Sequence, residues 1–525
     1  PSLNARRRPE SAAMRIESHL RESCRHHAGK TAIVDGARRV SYAELCHASD
    51  GLAAWFAENG VGRGDRVVVF AGNGWQTAVA FYAVWKAGAV ACPVNPSTRA
   101  KRLAFIIADC SPAAIVADAR GAATVADALA INPQARPAVV LTRPHPALPA
   151  AADFAQCLET GPFSADPALC DDDLATIIYT SGSTGDPKGV MMGHDNIDAA
   201  TASIVSYLGN GEADVILGVL PLSFGYGLTQ LITAVRVGAT LVLEKSFAYP
   251  AAVLERMREE GVTGFPMVPS MIALLLRMEE LDPALFTGLR YITSAAAPLP
   301  VAHIRRLRAL LPGVQLYSMY GQTECVRATW LPPSDIELRP ASAGIAIPGT
   351  AIQVVDEAGM EVAPGIVGEL VVSGPHIMRG YWNNSDATAG ALRPDPLTGS
   401  LRLHTGDLFF ADANGYVTFV SRRDDIIKTG GFKVAPREVE SALYDLEGVV
   451  EALVIGMPDP VLGEALKAMI VKSTDTLTAE DVLRHCAGIL NDFMVPRQVE
   501  FCQALPKTGS GKLSRRLASD GGTTP

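Results

Sequence analysis

The chain has 525 residues, of which 48% are hydrophobic and 19% charged, a composition that suits a well-buried globular protein of two or more domains rather than a disordered one. The formal net charge of -9 gives no support to nucleic-acid binding. No apolar run reaches the roughly 18 residues that a membrane span needs, and the odd number of cysteines, without a Cys-x-x-Cys pair, argues against a disulfide framework or a zinc site and for reduced thiols in the cytoplasm.

The N-terminal residues 1–13 are polar and rich in arginine, with no apolar segment like that of a secretory signal, and Met14 is one candidate for the natural start. From there, β-type runs alternate with helical runs, which predicts an α/β fold with layered, mostly parallel sheets. The elements expected, in chain order, are a strand Arg66–Phe70, an amphipathic helix Trp75–Lys86, a strand 89–93, a helix 101–109 and a strand Ala114–Ala117.

The turn Gly72-Asn73-Gly74 between the first strand and helix matches part of a dinucleotide-binding fingerprint. Thr77 stands where the third glycine of that fingerprint is required. We therefore favour a tight strand-to-helix turn over a dinucleotide site.

The character of the sequence changes between residues 351 and 420, where alternating runs separated by Gly, Pro and Asn turns predict a β-rich subdomain with hairpins. These runs are 351–356, Gly368–Ser373 and 415–420. Beyond it, a helix Pro436–Tyr444, strands 451–456 and 467–471, and a helix 478–490 predict a compact α+β unit. We expect a large N-terminal domain over residues 14–423 and a small C-terminal domain over residues 424–525.

The most informative segment runs from Tyr179 to Gly189, directly after the apolar run 174–178. Its glycines allow backbone N–H groups to converge on an anion, and Lys188 adds a compact positive charge. It is not a Walker loop, because Pro187 stands where that pattern requires glycine. The alternatives are a nucleotide phosphate loop and an exposed Ser/Gly turn.

This segment resembles the phosphate loop of the adenylate-forming superfamily, which includes acyl-CoA synthetases, firefly luciferase and the adenylation domains of peptide synthetases. Four further segments resemble motifs of that family in the right order, and the match covers nearly the whole chain. They are residues 320–324 (YGQTE), 404–408 (HTGDL), 421–431 (SRRDDIIKTGG) and 506–512 (PKTGSGK). Together these motifs identify the chain as a member of the superfamily.

The resemblance implies a nucleotide site. Thr323 would bond the α-phosphate, Glu324 would bind Mg²⁺, Asp407 would accept hydrogen bonds from both ribose hydroxyls, Arg422 would also reach the ribose, and Lys512 would be the mobile catalytic lysine. The other residues implied in ATP or AMP binding are Thr180, Ser181, Gly182, Ser183, Thr184, Gly185, Lys188, Ala295, Ala296, Ala297, Tyr320, Gly321 and Gln322.

Each of these residues has a plainer interpretation in isolation. Glu324 alone would be a solvated surface acid, Asp407 a turn cap, and Lys512 a solvated lysine of a basic tail. The family commonly has glycines where Ala295 and Ala296 stand, although small side chains still permit a purine to stack.

The fourth motif implies a mobile C-terminal domain. Asp424 occupies the hinge position of the family, and Gly430 and Gly431 would approach the pantetheine arm of the thiol substrate in a rotated state. The alternative for Asp424 is a charged surface turn between domains. The alternative for Gly430 and Gly431 is a helix-entry turn before Pro436.

The segment 221–228 resembles the start of the acyl pocket. Many relatives carry His at the position of Phe224, and the Asp that peptide-synthetase domains often have near Gly225 is missing, which disfavours an α-amino acid because a buried ammonium needs a partner. We expect an aliphatic or aromatic acid and an apolar pocket wall, with about half of its candidates serving as ordinary core instead. The candidates are Phe224, Tyr226, Phe265, Met267, Val268 and Met271.

The resulting hypothesis is a Mg²⁺- and ATP-dependent enzyme that converts a carboxylic acid to an acyl-adenylate and passes the acyl group to the thiol of coenzyme A. One alternative is a stand-alone adenylation enzyme that loads a carrier-protein pantetheine. A more distant alternative is a non-catalytic nucleotide-binding protein on the same fold. No nucleic-acid partner is expected.

Overall fold

The computed structural model describes residues 14–164, 169–181, 187–278, 281–508 and 512–519.

The first part of the chain alternates strands and helices. Its strands are β1 (Thr31–Asp35), β2 (Arg38–Ser41), β3 (Arg66–Phe70), β4 (Val90–Pro93), β5 (Ala114–Ala117), β6 (Ala138–Leu141), β7 (Ala152–Asp153), β8 (Leu174–Ser181), β9 (Pro187–Gly193), β10 (Val215–Gly218), β11 (Thr240–Leu243), β12 (Gly264–Met267), β13 (Tyr291–Ser294), β14 (Gln315–Tyr320), β15 (Thr329–Trp330) and β16 (Ile345–Ala346).

The helices of this part lie between the strands. They are α1 (Ile16–His27), α2 (Tyr42–Glu58), α3 (Trp75–Lys86), α4 (Ala100–Cys110), α5 (Ala122–Ile131), α6 (Phe154–Cys157), α7 (His194–Leu208), α8 (Gly225–Arg236), α9 (Pro250–Glu259), α10 (Pro269–Leu275) and α11 (Val301–Leu310). Helix α2 begins with a capping box, in which the Ser41 hydroxyl accepts from the Glu44 N–H and the Glu44 carboxylate accepts from the Ser41 N–H.

The rest of the chain is richer in strands. They are β17 (Ala351–Val355), β18 (Gly368–Ser373), β19 (Gly380–Tyr381), β20 (Leu392–Pro394), β21 (Leu401–Ala411), β22 (Val417–Arg422), β23 (Ile427–Thr429), β24 (Phe432–Val434), β25 (Val449–Asp459), β26 (Gly463–Lys472) and β27 (Gln498–Phe501). The helices are α12 (Ser385–Ala391), α13 (Pro436–Tyr444), α14 (Ala479–Ile489) and α15 (Arg515–Ser519).

These strands form four sheets. The first has the order β16-β15-β14-β13-β12-β10-β11-β1-β2 and is parallel from β14 to β1. The second has the order β19-β9-β8-β4-β3-β5-β6-β7 and is parallel from β8 to β7. Because ligands of such sheets bind beyond the carboxyl ends of the strands, the ends of β8, β13 and β14 mark the expected site.

Two smaller sheets complete the fold. Strands β17, β18, β20, β21 and β22 form an antiparallel sheet, and β23 to β27 form a mixed sheet that packs with α13 and α14 around a hydrophobic cluster of its own. The predicted fold class, layered mostly parallel sheets with a β-rich subdomain and an α+β C-terminal unit, is confirmed. None of the helices in the described ranges combines the length and apolar character that a bilayer crossing requires.

Two local predictions need correction. Helix α3 is not amphipathic, because residues 77–86 are all buried between neighbouring elements, and the Lys86 ammonium at its end is buried against the Asp50 carboxylate. The third run predicted as a strand in the β-rich region, 415–420, corresponds to β22 at Val417–Arg422. Gly415 has a φ of 81° and belongs to the hairpin turn before this strand.

Candidate active site

A cleft of about 1740 Å³ lies where the sheets of the large region meet the C-terminal unit. The residues that line it come from each of the five motifs, although these motifs are far apart in sequence. The predicted site residues on its wall are Thr180, Lys188, Phe224, Val268, Ala296, Ala297, Tyr320, Gly321, Gln322, Thr323, Glu324, Asp407, Arg422, Asp424 and Lys512.

The phosphate loop connects two paired strands. Strands β8 and β9 run antiparallel, with Thr180 opposite Lys188, so the two described ends of this segment lie side by side at the carboxyl end of β8. The Lys188 Nζ lies 5.5 Å from the centre of the Tyr381 ring, a cation–π distance. Gly182, Ser183, Thr184 and Gly185 lie outside the described residues, as does the side chain of Ser181.

The segment after β13 has an unusual backbone. Ala296 has a φ of 79°, in the left-handed region that favours glycine, and Ala295 is buried in the core beside it. Ala296 and Ala297 line the cleft. The glycine that relatives have at position 296 is therefore explained by conformation, and the alanine of this chain keeps the turn at a cost of about 1–2 kcal/mol.

The segment 320–324 follows β14 and is held from both sides. The Tyr381 hydroxyl donates to Glu324 Oε1 at 2.9 Å, and the Glu324 backbone carbonyl accepts from the Met378 N–H at 2.7 Å. The Gln322 amide donates to the Thr405 carbonyl at 3.4 Å. Glu324 is thus a fixed carboxylate on the cleft wall, the kind of hard oxygen ligand that Mg²⁺ takes together with substrate phosphates.

Asp407 and Arg422 stand opposite each other on the paired strands β21 and β22. Arg422 Nε lies 3.1 Å from Asp407 Oδ1, and the Tyr320 hydroxyl donates to Asp407 Oδ2 at 2.6 Å. The Arg422 N–H is not aligned for a hydrogen bond, so Oδ1 keeps its acceptor capacity. Burial raises the pKa of the Asp407 carboxyl, and the Arg422 charge opposes this shift. A ligand with paired hydroxyls would satisfy this carboxylate.

Lys512 lines the same cleft from the C-terminal unit. Its side chain is reached by solvent through the open cleft, but the surrounding protein lowers its pKa by desolvation. The Arg422 charge lowers this pKa further, whereas the carboxylates of Glu324 and Asp407 raise it. The structure therefore brings Lys512 within electrostatic reach of two carboxylates that lie about 190 and 105 residues away in sequence.

The expected acyl wall divides into two groups. Phe224 and Val268 line the cleft, and the Tyr226 hydroxyl shares a hydrogen bond of 2.7 Å with Thr293. Phe265 and Met267 are fully buried in a hydrophobic cluster that also holds Met271. We assign Phe265, Met267 and Met271 to the core, because they are buried in this cluster beside the central strand β12.

The C-terminal motifs occupy turns. Asp424 lies in a short 3-10 turn, Arg423–Asp425, between β22 and β23, and it lines the cleft. Gly430 and Gly431, with φ values of 55° and 86°, form the hairpin turn between β23 and β24. The alternative of a helix-entry turn at these glycines is therefore wrong. A role in thiol binding stays a prediction.

Sequence reasoning missed residues that orient the site. Tyr381 was not singled out because it lies on a two-residue strand outside every motif, yet it holds Glu324. His404 is packed, as expected, with its Nδ1 at 2.9 Å from the Glu369 carboxylate. Burial would raise the pKa of Glu369, but the hydrogen bonds from His404 and the Gly406 N–H, with the Arg423 charge, hold it at about 2. Arg327, three residues after Glu324, was also overlooked.

Comparison with known proteins identifies the family of the chain. Residues 20–382 match the family described as AMP-binding enzyme, and residues 438–512 match the AMP-binding enzyme C-terminal domain. A long-chain-fatty-acid–CoA ligase of Salmonella typhimurium is 30% identical over 94% of this chain and 92% of its own length. A feruloyl-CoA synthase of an Amycolatopsis species is 33% identical over 92% of this chain and 94% of its own.

A solved structure shows the same fold. The ATP-bound MatB protein of Rhodopseudomonas palustris superposes with a TM-score of 0.86 at 29% identity, covering 97% of this chain and 99% of that one. The predicted enzyme class, an AMP-forming acid–thiol ligase, is confirmed by these relatives. The chain belongs to the AMP-binding enzyme family of the adenylate-forming superfamily.

Proposed function

We propose that this protein activates a carboxylic acid with ATP to an acyl-adenylate and then transfers the acyl group to the thiol of coenzyme A. The observation that carries the proposal is the convergence of Glu324, Asp407 and Lys512 on one cleft. The names of the curated relatives, which are CoA ligases and synthases, support coenzyme A as the acceptor rather than a carrier protein.

In the first half-reaction, a carboxylate oxygen of the acid attacks the α-phosphorus of ATP and pyrophosphate leaves. Lys512 stabilises the charge that develops on the carboxylate and α-phosphate oxygens, and Thr323 donates to the α-phosphate. Asp407 accepts from the ribose hydroxyls through the oxygen that lacks an aligned donor. These contacts fix the α-phosphorus in line with the attacking oxygen.

The donor set also fits Mg²⁺. Glu324 is a single oriented carboxylate, and no cluster of three or more metal-ligating side chains occurs among the described residues. This arrangement suits an ion that takes one protein carboxylate and completes its shell with phosphate oxygens and water. When bound, the ion would neutralise charge on the phosphates.

In the second half-reaction, the thiol attacks the acyl carbonyl and AMP leaves. We propose that the small domain, residues 424–525, rotates on the large domain, residues 14–423, about Asp424 and withdraws Lys512. The separate hydrophobic cluster of the C-terminal unit supports such a rigid-body motion. Gly430 and Gly431 would then lie beside the pantetheine arm.

The proposal is tested by acid-dependent pyrophosphate exchange and AMP formation with purified protein, Mg²⁺, ATP and acids of varied length and ring content. At least one acid should support both, and thioester should form with free coenzyme A. A matched comparison uses Lys512→Ala against Lys507→Ala, because Lys507 lies on the same loop but is ion-paired with Glu451 at 2.7 Å. Equal exchange rates in the two variants would contradict the assignment of Lys512, and transfer to a carrier-protein pantetheine but not to coenzyme A would contradict the acceptor.

A further inference from the structure

Arg327 is a buried cation without a buried anion. Only 3% of the residue is exposed, and among the described residues its Nε has no hydrogen-bond partner. No carboxylate in the described part of the chain forms an ion pair with it. By contrast Arg402, which is equally buried, pairs with Asp395 at 2.9 Å.

Such a group is costly to bury. The guanidinium keeps its charge at any physiological pH, and buried charges are normally paired. The contact present is a weak substitute: the guanidinium carbon lies 5.0 Å from the centre of the Tyr226 ring, a cation–π distance that does not neutralise the charge. An anion is the group that would complete this environment.

Arg327 adjoins the acyl side of the cleft. Tyr226 is the second residue of helix α8, which follows Phe224, and Met319 lines the cleft. The Tyr207 hydroxyl donates to Met319 Sδ at 3.1 Å, and Tyr207, Tyr226 and Met319 belong to one hydrophobic cluster that reaches the cleft wall. Gly321, which also lines the cleft, lies against the Arg327 backbone.

The backbone at Arg327 is built for this placement. The Arg327 N–H donates to the Cys325 carbonyl across a three-residue turn, whose central residue Val326 has a φ of 56°. A β-branched residue rarely adopts this conformation, and strain of this kind concentrates at functional sites. A side chain at Gly321 would place its Cβ 2.7 Å from the Arg327 Cα, so the glycine makes room for the turn.

We propose that Arg327 recognises a second carboxylate on the acyl substrate, so that the preferred acid is a short dicarboxylic acid. This inference rests on the proposed function and deepens it. A guanidinium offers a carboxylate two parallel N–H donors, one of them the unpaired Nε–H. One carboxylate would react near Lys512 while the other is held by Arg327.

The surrounding aromatic residues limit the length of such a substrate. The Tyr207 and Trp330 rings stack at a centroid distance of 4.8 Å, and Tyr317 packs against both. These rings belong to one hydrophobic cluster with Tyr226 and Val326, the neighbours of Arg327. The acid expected from the geometry is therefore short and doubly charged rather than the aliphatic or aromatic acid with one carboxylate that the sequence suggests.

The test compares each dicarboxylic acid of three to eight carbons with its own monomethyl ester, which has nearly the same length but one charge. In pyrophosphate exchange, wild-type kcat/KM should favour the best diacid over its ester by about 10²-fold, since the ester keeps a carbonyl acceptor but lacks the charge that pairs with the buried guanidinium. Arg327→Met should lose that preference, mainly through the diacid, and Arg327→Lys should keep part of it. Arg308→Met, at a surface ion pair with Glu337, serves as the control and should leave the preference unchanged.

Thermal unfolding supplies an independent measurement. The diacid alone should raise the Tm of the wild type and not that of Arg327→Met, and the free variant should unfold a few degrees above the wild type because an unpaired buried charge is removed. A wild type that prefers monoesters or long fatty acids, or a variant that loses both substrates equally, would overturn the inference. If no acid supports exchange, the proposed function fails, and the wild-type Tm shift with diacid still decides this inference. If Arg327→Met does not fold, the diacid-to-ester ratio of the wild type decides it.

Discussion

Charged side chains in two regions of this protein differ in whether they form ion pairs. Around α1, α2 and α3, each buried cation has a close carboxylate: Lys86 Nζ lies 2.6 Å from Asp50, and Arg15 Nε lies 2.7 Å from Glu17. At the cleft, Lys512 is exposed and forms no ion pair with a described carboxylate, and the buried Arg327 behind the cleft wall has no ion pair within the described residues either.

The difference separates structural charges from charges that await a ligand. A buried ion pair that is complete within the protein fixes the packing of helices, and breaking it mainly affects stability. Incompletely paired groups remain available to bind phosphate or carboxylate oxygens, so changing them mainly affects catalysis or specificity. The four predictions below test this distinction, from the largest expected effect to the smallest.

Lys512→Ala should slow adenylation by about 10²-fold or more, because one preorganised charge-stabilising group is lost. Thioester formation from supplied acyl-adenylate should survive, because Lys512 is expected to leave the site in that step. Single-turnover measurements of both half-reactions check this division, and the Tm should stay close to that of the wild type. Equal losses in both half-reactions would show that Lys512 acts in each of them.

Asp50→Ala should lower the free energy of unfolding by about 2 kcal/mol, because Lys86 is left buried without its carboxylate. This loss is smaller than that expected for a fully buried pair, because the Asp50 side chain is 31% exposed. Denaturant unfolding measures the change. Glu22→Ala removes exposed contacts with Arg25 and His26 and should leave stability nearly unchanged, since solvent screens such pairs. If Asp50→Ala lowered kcat strongly while the free energy of unfolding stayed unchanged, the pair would act in catalysis rather than in packing.

His303→Phe should reduce the acid sensitivity of folding. Burial lowers the pKa of His303 to about 4, whereas an unfolded histidine has a pKa of about 6.5. Between these values the unfolded state binds more protons, so the free energy of unfolding falls as pH falls below 6.5, by about 1 kcal/mol at pH 5.5 for this residue. Unfolding of the wild type and the variant at pH 7.5 and 5.5 measures the difference, and identical pH dependence would contradict it. Buried His194 and His376 should add to the same slope.

Ala296→Gly should raise the free energy of unfolding by less than about 1 kcal/mol, because relief of the left-handed alanine exceeds the entropy cost of glycine. Ala297→Gly is the matched control. Its φ is not positive, so glycine there should destabilise the protein by a similar amount. Thermal unfolding of both variants distinguishes the two outcomes, and the same sign of change at both positions would sink the conformational explanation.

The sequence allowed much of the fold to be predicted. The strands Arg66–Phe70 and Ala114–Ala117 and the helix Pro436–Tyr444 occur with the predicted bounds, because short apolar runs between turn residues are strong local signals. Helix α3 was predicted as a helix with the wrong environment, since the pattern of one segment does not reveal that neighbours cover its polar side. Phe265 and Met267 lie in the core, an outcome that the sequence left open for about half of the pocket candidates, because core and pocket walls use the same residue types.

By itself, the sequence determined the family, the order of its motifs and the reaction class, because glycine-rich and charged motifs report local chemistry that is independent of the remaining fold. The tertiary structure decided which charges are paired and which are not. Tyr381 on Glu324, Tyr320 on Asp407, and Arg327 among aromatic rings depend on contacts between residues far apart in the chain. Pairing and burial are properties of those contacts, so the preference for a substrate emerges only when the chain is folded.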